Sequence, residues 1–198
     1  MIEKIYITVF LCLYFLIIFL LPSIRVKRKT GINPYVFKNT DSAHDFLGKV
    51  SAPITSLVFI VAFINLILPK VYQYFAPFNW LEILILKYAG IIMIHIALLW
   101  IVTAQLQMNN SWRVGIDPSA ITELKINGLF SVSRNPVFLG MIFTLCGIFL
   151  VLPNAITLLA AVVTSMLFGV QVRLEEDYLV KKHGEEYIKY CRKTRRWF

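Results

Sequence analysis

The chain is predicted to be an all-α integral membrane protein of about five transmembrane helices, the last two forming a hairpin, with a further cytoplasmic helix at the C-terminal end. Three observations predict this. The 198 residues are 58% hydrophobic with a mean hydropathy of +0.70, and several apolar runs reach spanning length. The longest, Asn135 to Val172, holds 38 residues without an Asp, Glu, Lys or Arg; Arg134 precedes it, and Arg173, Glu175, Glu176 and Asp177 follow. The cations gather in connections that alternate with the apolar runs. The spans use up most of the chain, so residues 1–198 read as a single membrane domain, with N-terminal spans over 1–107 and a loop, hairpin and tail over 108–198.

Ile5 to Leu21 carries 17 residues without a charge and is ended by Pro22. Lys4 before it would suit a signal peptide, but no small-residue cleavage site follows and a basic cluster comes directly after, so an uncleaved first span is expected. Val50 to Pro69 is a second run, of 20 uncharged residues. A third extends from about Leu81 to Gln107, interrupted by Lys87 and His95. As one straight helix, the fourth would be about 57 Å long, nearly twice a hydrocarbon core of about 30 Å. Leu152-Pro153-Asn154 lies in its middle, and proline removes a backbone donor and disfavours helix at the residue before it. Two short helices, roughly 137–152 and 155–172, therefore double back, bringing Arg134-Asn135-Pro136 and the acids at 175–177 to the same side of the bilayer.

Orientation follows from the cations. Arg25, Lys27, Arg28, Lys29, Lys38 and Lys49 follow the first span, and Lys181, Lys182, Lys189, Arg192, Lys193, Arg195 and Arg196 follow the hairpin, whereas the short connection after the second run holds Lys70 alone. Segments 22–49, 108–136 and 173–198 are thus expected on the cytoplasmic side of an inner or internal membrane. The net charge of +9 is explained by headgroup attraction at about 1 kcal/mol per juxtamembrane cation, and no nucleic acid partner is expected. Cys12, Cys146 and Cys191 lack metal or disulfide spacing, and His44, His95 and His183 are scattered, so no metal site is expected. His95 falls in a span, where a neutral imidazole bonded to a neighbouring helix is the simplest account.

Candidate ligand-contacting groups lie at the cytoplasmic end. The loop over 107–136 holds Asn109, Asn110, Ser111, Trp112, Arg113, Asp117, Lys125, Asn127, Gly128 and Arg134, and is long for a mere connection. Gly128 permits a turn and a close backbone approach. Asn135 suits a helix N-cap and Pro136 the first turn, where free amides favour an anionic ligand. Glu175 and Glu176 follow the last apolar turn; side chains of consecutive helical residues diverge by about 100°, so only one can face inward fully. Leu174, Tyr178 and Leu179 continue an apolar face to Lys182, and Gly184 reads as a stop. Tyr187, Ile188 and Tyr190 then form an amphipathic turn suited to anchoring at the interface or to covering a pocket.

Taken together, Gly128-Leu-Phe-Ser-Val-Ser-Arg134-Asn135-Pro136-Val-Phe138-Leu-Gly140, the apolar hairpin, Glu175-Glu176 and Gly184-Glu-Glu-Tyr187-Ile-Lys-Tyr190 resemble the C-terminal signature of the isoprenylcysteine carboxyl methyltransferase and phospholipid methyltransferase family. Asn110-Ser-Trp112 is similar to that family's upstream N-x-W segment. The resemblance covers roughly residues 105–196 and lies in the order and spacing of all the pieces. It implies a membrane-embedded methyltransferase that uses S-adenosylmethionine on the cytoplasmic side. Gly128, Leu129, Phe130, Arg134, Asn135, Pro136, Glu175, Glu176, Tyr187 and Tyr190 would then surround the cofactor. Asn135 stands where histidine is frequent, which removes proton transfer there, and Phe138 stands where tyrosine is usual.

Methyl transfer from a sulfonium requires alignment and exclusion of water more than acid–base help. Arg173 and Glu176 are the candidate catalytic residues, and Trp112, Arg113 and Phe138 the candidates for substrate contact. The expected substrate is a lipid-like or lipidated molecule that enters between spans, with an isoprenylcysteine-type carboxylate favoured over a phospholipid amine. A membrane isoprenoid or steroid reductase using NADPH and a non-catalytic membrane assembly protein are the alternatives.

Overall fold

The computed structural model describes the chain except for residues 32, 34, 38–39, 110–114 and 116–123. The described residues form helices and no strand, with one isolated bridge between Pro77 and Asn154. Helices α1 (Ile2–Phe15) and α2 (Leu21–Thr30) are joined by a π turn at Leu16–Leu20; α3 (Ala43–Ile67), the short α4 (Pro69–Tyr72) and α5 (Leu84–Met108) follow. Helices α6 (Pro136–Val151) and α7 (Ala155–His183) make the hairpin, and α8 (Glu185–Lys193) ends the chain. Ile2–Thr30, Ala43–Ile67, Leu84–Met108 and Ala155–His183 are each long and apolar enough to cross a membrane, and Pro136–Val151 is a shorter apolar helix. These spans mark a multi-pass membrane protein.

The first span corrects one expectation. Pro22 does not end the helix, which runs on to Thr30 and closes at Gly31, where φ is +70° and the N–H meets the Lys27 carbonyl. The π turn places Pro22 in the first turn of α2, the position at which its missing N–H matters least. Pro22 has no N–H for the carbonyl of Ile18, and the buried Gln105 on α5 supplies one from Nε2 at 2.9 Å. In a membrane a backbone group of this kind must be satisfied by protein.

The polar groups inside the third span are likewise internal fasteners. Lys87 pairs with Glu3 at 2.8 Å. His95 Nδ1 donates to the Ile91 carbonyl at 2.8 Å, and Nε2 lies 3.1 Å from the Tyr6 hydroxyl. The imidazole thus joins α5 to α1. Helix α5 lies against α6 through small residues: a Cβ on Gly90 would stand 2.7 Å from the Gly147 carbonyl, and one on Gly140 would stand 2.4 Å from Ile101. Trp100 Nε1 donates to the Pro136 carbonyl at 2.9 Å and so fixes the start of α6.

The hairpin turns where it was predicted to. Asn154 is fully buried and caps α7: its Oδ1 accepts from the amides of Ile156 and Thr157, both at 3.0 Å, and Thr157 completes the capping box. Its Nδ2 donates to the Leu152 carbonyl at 3.0 Å and to the Tyr72 hydroxyl at 3.3 Å. The connection after α4 clasps the same turn, since Phe78 N donates to Pro153 O at 2.8 Å and Ala155 N to Ala76 O at 3.3 Å. Helix α7 then continues past the apolar run to His183, as the face through Lys182 predicted.

Asn154→Ala removes the cap and the Tyr72 contact together. A loss of about 2 kcal/mol is expected, read as a lowered melting temperature in detergent; an unchanged melt would mean that the turn is held by other contacts.

Candidate functional site

At the opposite end from the turn, one carboxylate gathers the chain. Glu176, on α7 and 7% exposed, accepts five N–H groups. Arg134 forks onto it with Nε and Nη2, each at 3.1 Å. Arg196 approaches Oε2 with Nε at 3.0 Å and Nη2 at 2.8 Å, and Asn135 Nδ2 reaches Oε1 at 3.1 Å. Arg134 Nη1 is used as well, donating to the carbonyls of Cys191 and Thr194 at 3.2 Å each. The hydrogen bond to Glu176 raises the pKa of Arg196 and keeps it charged. Bidentate guanidinium–carboxylate geometry is among the strongest polar pairings available.

This clamp alters the expected role of Asn135. Asn135 holds the N-cap position of α6, but its side chain makes no capping bond. Its amide turns to Glu176 and to the Arg196 carbonyl at 3.3 Å instead, because a buried carboxylate is costly without donors. Backbone contacts seal the join: Arg134 N donates to Arg195 O at 3.0 Å, and Ser133 Oγ to Arg196 O at 3.3 Å.

The loop before the hairpin is held from two sides. Leu129 N donates to Gln107 Oε1 at 2.9 Å, and Gly128 has φ +64° with Gln107 so close that a Cβ would stand 2.4 Å from it. The torsion favours glycine there, and a side chain would also displace the Gln107 amide. The Tyr190 hydroxyl donates to the Phe130 carbonyl. Tyr187 and Tyr190 are buried rather than lying at the interface; burial pushes the Tyr190 phenol up to about 12 and raises Tyr187 further, with the Glu176 charge adding to it. Both are neutral donors at physiological pH, not phenolate bases.

Beside the clamp lies a cavity of about 900 Å³, at the upper end of small-molecule sites. Its walls are apolar where α1, α3, α6 and α7 face each other, with Phe15, Phe19, Phe59, Phe138, Met141 and Phe168 contributing. Toward the clamp it becomes polar, lined by Lys125, Arg134, Gln171, Glu175, His183 and the two tyrosines. Glu175 faces this space and accepts from Gln171 Nε2 at 2.8 Å. The glutamates thus separate as the helical angle requires, Glu175 toward the cavity and Glu176 into the clamp.

Of the residues selected from sequence, Phe130, Arg134, Phe138, Glu175, Tyr187 and Tyr190 line the cavity. Gly128, Leu129, Asn135, Pro136 and Glu176 support that wall without lining it. Arg173 is exposed, is bonded to the carbonyl of Gly169 on its own helix, and takes no part in the lining. Trp112 and Arg113 lie outside the described residues. Arg196, Gln171 and the α3 wall were not anticipated; only Gln171 carried a signal, standing one helical turn before Glu175. Among the described residues there is no cluster of three or more His, Cys, Asp or Glu side chains placed to hold a metal.

Glu176→Gln leaves two guanidinium groups facing each other without a counter-charge and is expected to lower stability by about 3 kcal/mol. Glu175→Gln should change the melting temperature little. Equal shifts in a detergent melt would contradict this division of roles.

A family model described as a protein of unknown function (DUF1295) matches residues 53–194. The match includes most of α3, all of α5 to α7, and both tyrosines, and it stops short of Arg196. No curated protein and no solved structure matches the chain.

Proposed function

The chain belongs to the DUF1295 family, and from that premise and the cavity we propose that it is a membrane methyltransferase that uses S-adenosylmethionine and acts on a lipid-like or lipidated substrate. The observation that carries the reading is a cavity, aromatic and apolar at one end and polar at the other, whose polar end includes Arg134, Glu175, Tyr187 and Tyr190 of the sequence signature. When bound, S-adenosylmethionine supplies an electrophilic methyl group on a sulfonium, which a nucleophile takes by in-line displacement.

The residues at the polar end suit that molecule. Glu175 lines the cavity with a carboxyl group suited to accept from ribose hydroxyls or an ammonium. Phe130, Tyr187 and Tyr190 offer flat faces to an adenine ring, and the backbone at Gly128–Ser131 can approach closely. Arg134 and Glu176 neutralise each other and hold this wall in place. The apolar end accepts a lipid chain from between the helices and excludes water from the reacting groups. A fifth span by α6 and a cytoplasmic polar end complete the picture, since the basic loops gather there.

S-Adenosylhomocysteine is expected to bind detergent-purified protein at micromolar concentration by calorimetry, and at about 100 times Kd to stabilise it by about 2.7 kcal/mol. Absence of binding at high micromolar concentration, or stabilisation by NADPH in its place, overturns the proposal. Glu175→Gln should weaken S-adenosylhomocysteine by about tenfold or more, the scale of a hydrogen bond to a charged group; an affinity equal to wild type would remove Glu175 from the cofactor site.

A further inference from the structure

We propose that Gln171 reads the head group of the substrate, and that this head is a hydrogen-bond donor, an amine or alcohol on a long chain, rather than a carboxylate. The proposal deepens the reading of the cavity as a substrate site and rests on it, but not on the identity of the cofactor. Gln171 is 5% exposed and lines the cavity, and its Oε1 is fully buried with no hydrogen-bond partner among the described residues. Its Nε2 donates to Glu175 Oε1 at 2.8 Å, which leaves its own Oε1 as the free, acceptor end of the amide. The oxygen left over is an acceptor that no described residue satisfies, whereas the buried amides of Gln105, Asn135 and Asn154 have partners.

The position of Gln171 identifies the ligand further. Along α7, Gln171 lies one turn from Glu175 in the direction of Leu167 and Phe168, where the cavity becomes apolar. A chain lying among the phenylalanines therefore presents its head to Gln171 before anything bound against Glu175, Tyr187 and Tyr190. An acceptor without a partner favours a head carrying N–H or O–H over a carboxylate, which brings only acceptors of its own. Arg134 also reaches the cavity, but its guanidinium is engaged by Glu176 and by the Cys191 and Thr194 carbonyls. Lys125 stands on the segment leading into Gly128. His183 Nε2 is likewise buried without a hydrogen-bond partner and faces the same cavity, but it lies about 18 Å further along the helix, too far to share the head group.

The test compares dodecylamine, dodecanol and dodecanoate, probes of one chain length, on the purified full chain in nanodiscs, with and without S-adenosylhomocysteine. Dodecylamine, dodecanol or both are expected to bind at least tenfold more tightly than dodecanoate, and their difference separates a charged donor from a neutral one. Gln171→Leu should abolish that preference while leaving dodecanoate unchanged, and Gln171→Met serves if the leucine variant does not fold. Equal or tighter binding of dodecanoate to the wild type, a comparison that needs no variant, overturns the proposal, as does a Gln171→Leu or Gln171→Met protein that keeps the preference. Preference for the amine or alcohol without any S-adenosylhomocysteine binding would sink the cofactor reading and leave this one standing; the reverse result would sink this one alone.

Discussion

A buried carboxylate with five donors is the constraint on which the end of this protein opposite the hairpin turn depends. Glu176 cannot lie at low exposure beside apolar helices without neutralisation, and its partners come from two places in the chain: Arg134 and Asn135 before the hairpin, and Arg196 beyond α8. Breaking such a pair leaves a charge stranded in a poor solvent, which is why buried ion pairs are costly to disrupt even where they add little net stability. The clamp is possible only if the two ends of the apolar run return to the same side. The turn at Leu152-Pro153-Asn154, far from any charge, therefore decides whether the clamp can form.

The helical angle between neighbours then divides labour between the two glutamates. Glu176 is used up in holding α6, α7 and the tail together, and that frame presents Glu175 to the cavity with Gln171 beside it. Tyr187 and Tyr190 are brought to the same wall because α8 is tied back, through Tyr190 to Phe130 and through the Cys191 and Thr194 carbonyls to Arg134. A polar wall adjoining an aromatic, apolar one follows directly from a helix that leaves the apolar layer at about Val172 and continues in the same direction.

Elsewhere the same rule of internal satisfaction recurs at membrane depth. Gln105 answers the Ile18 carbonyl opposite Pro22, His95 joins Tyr6 to the Ile91 carbonyl, and Asn154 meets Tyr72 and the Leu152 carbonyl. Each of these polar residues finds a partner within the protein, because lipid offers none. These bonds set the helices that form the cavity walls.

Sequence alone determined the helical membrane class, the apolar runs, the doubling back at Pro153, the continuation of α7 to Gly184 and the meeting of Arg134 with the acidic pair, because hydropathy and proline chemistry act locally and bilayer thickness is a known length. It misplaced the end of the first helix at Pro22, since the π turn and the donor on Gln105 that accommodate the proline lie outside any local window. It selected both glutamates and could not say which faced a ligand. Tertiary structure decided that, along with the roles of Asn135, Arg196 and Gln171, because the phase of a helix about its axis is set by what packs against it. An isolated run of residues carries no record of which neighbour will supply a donor.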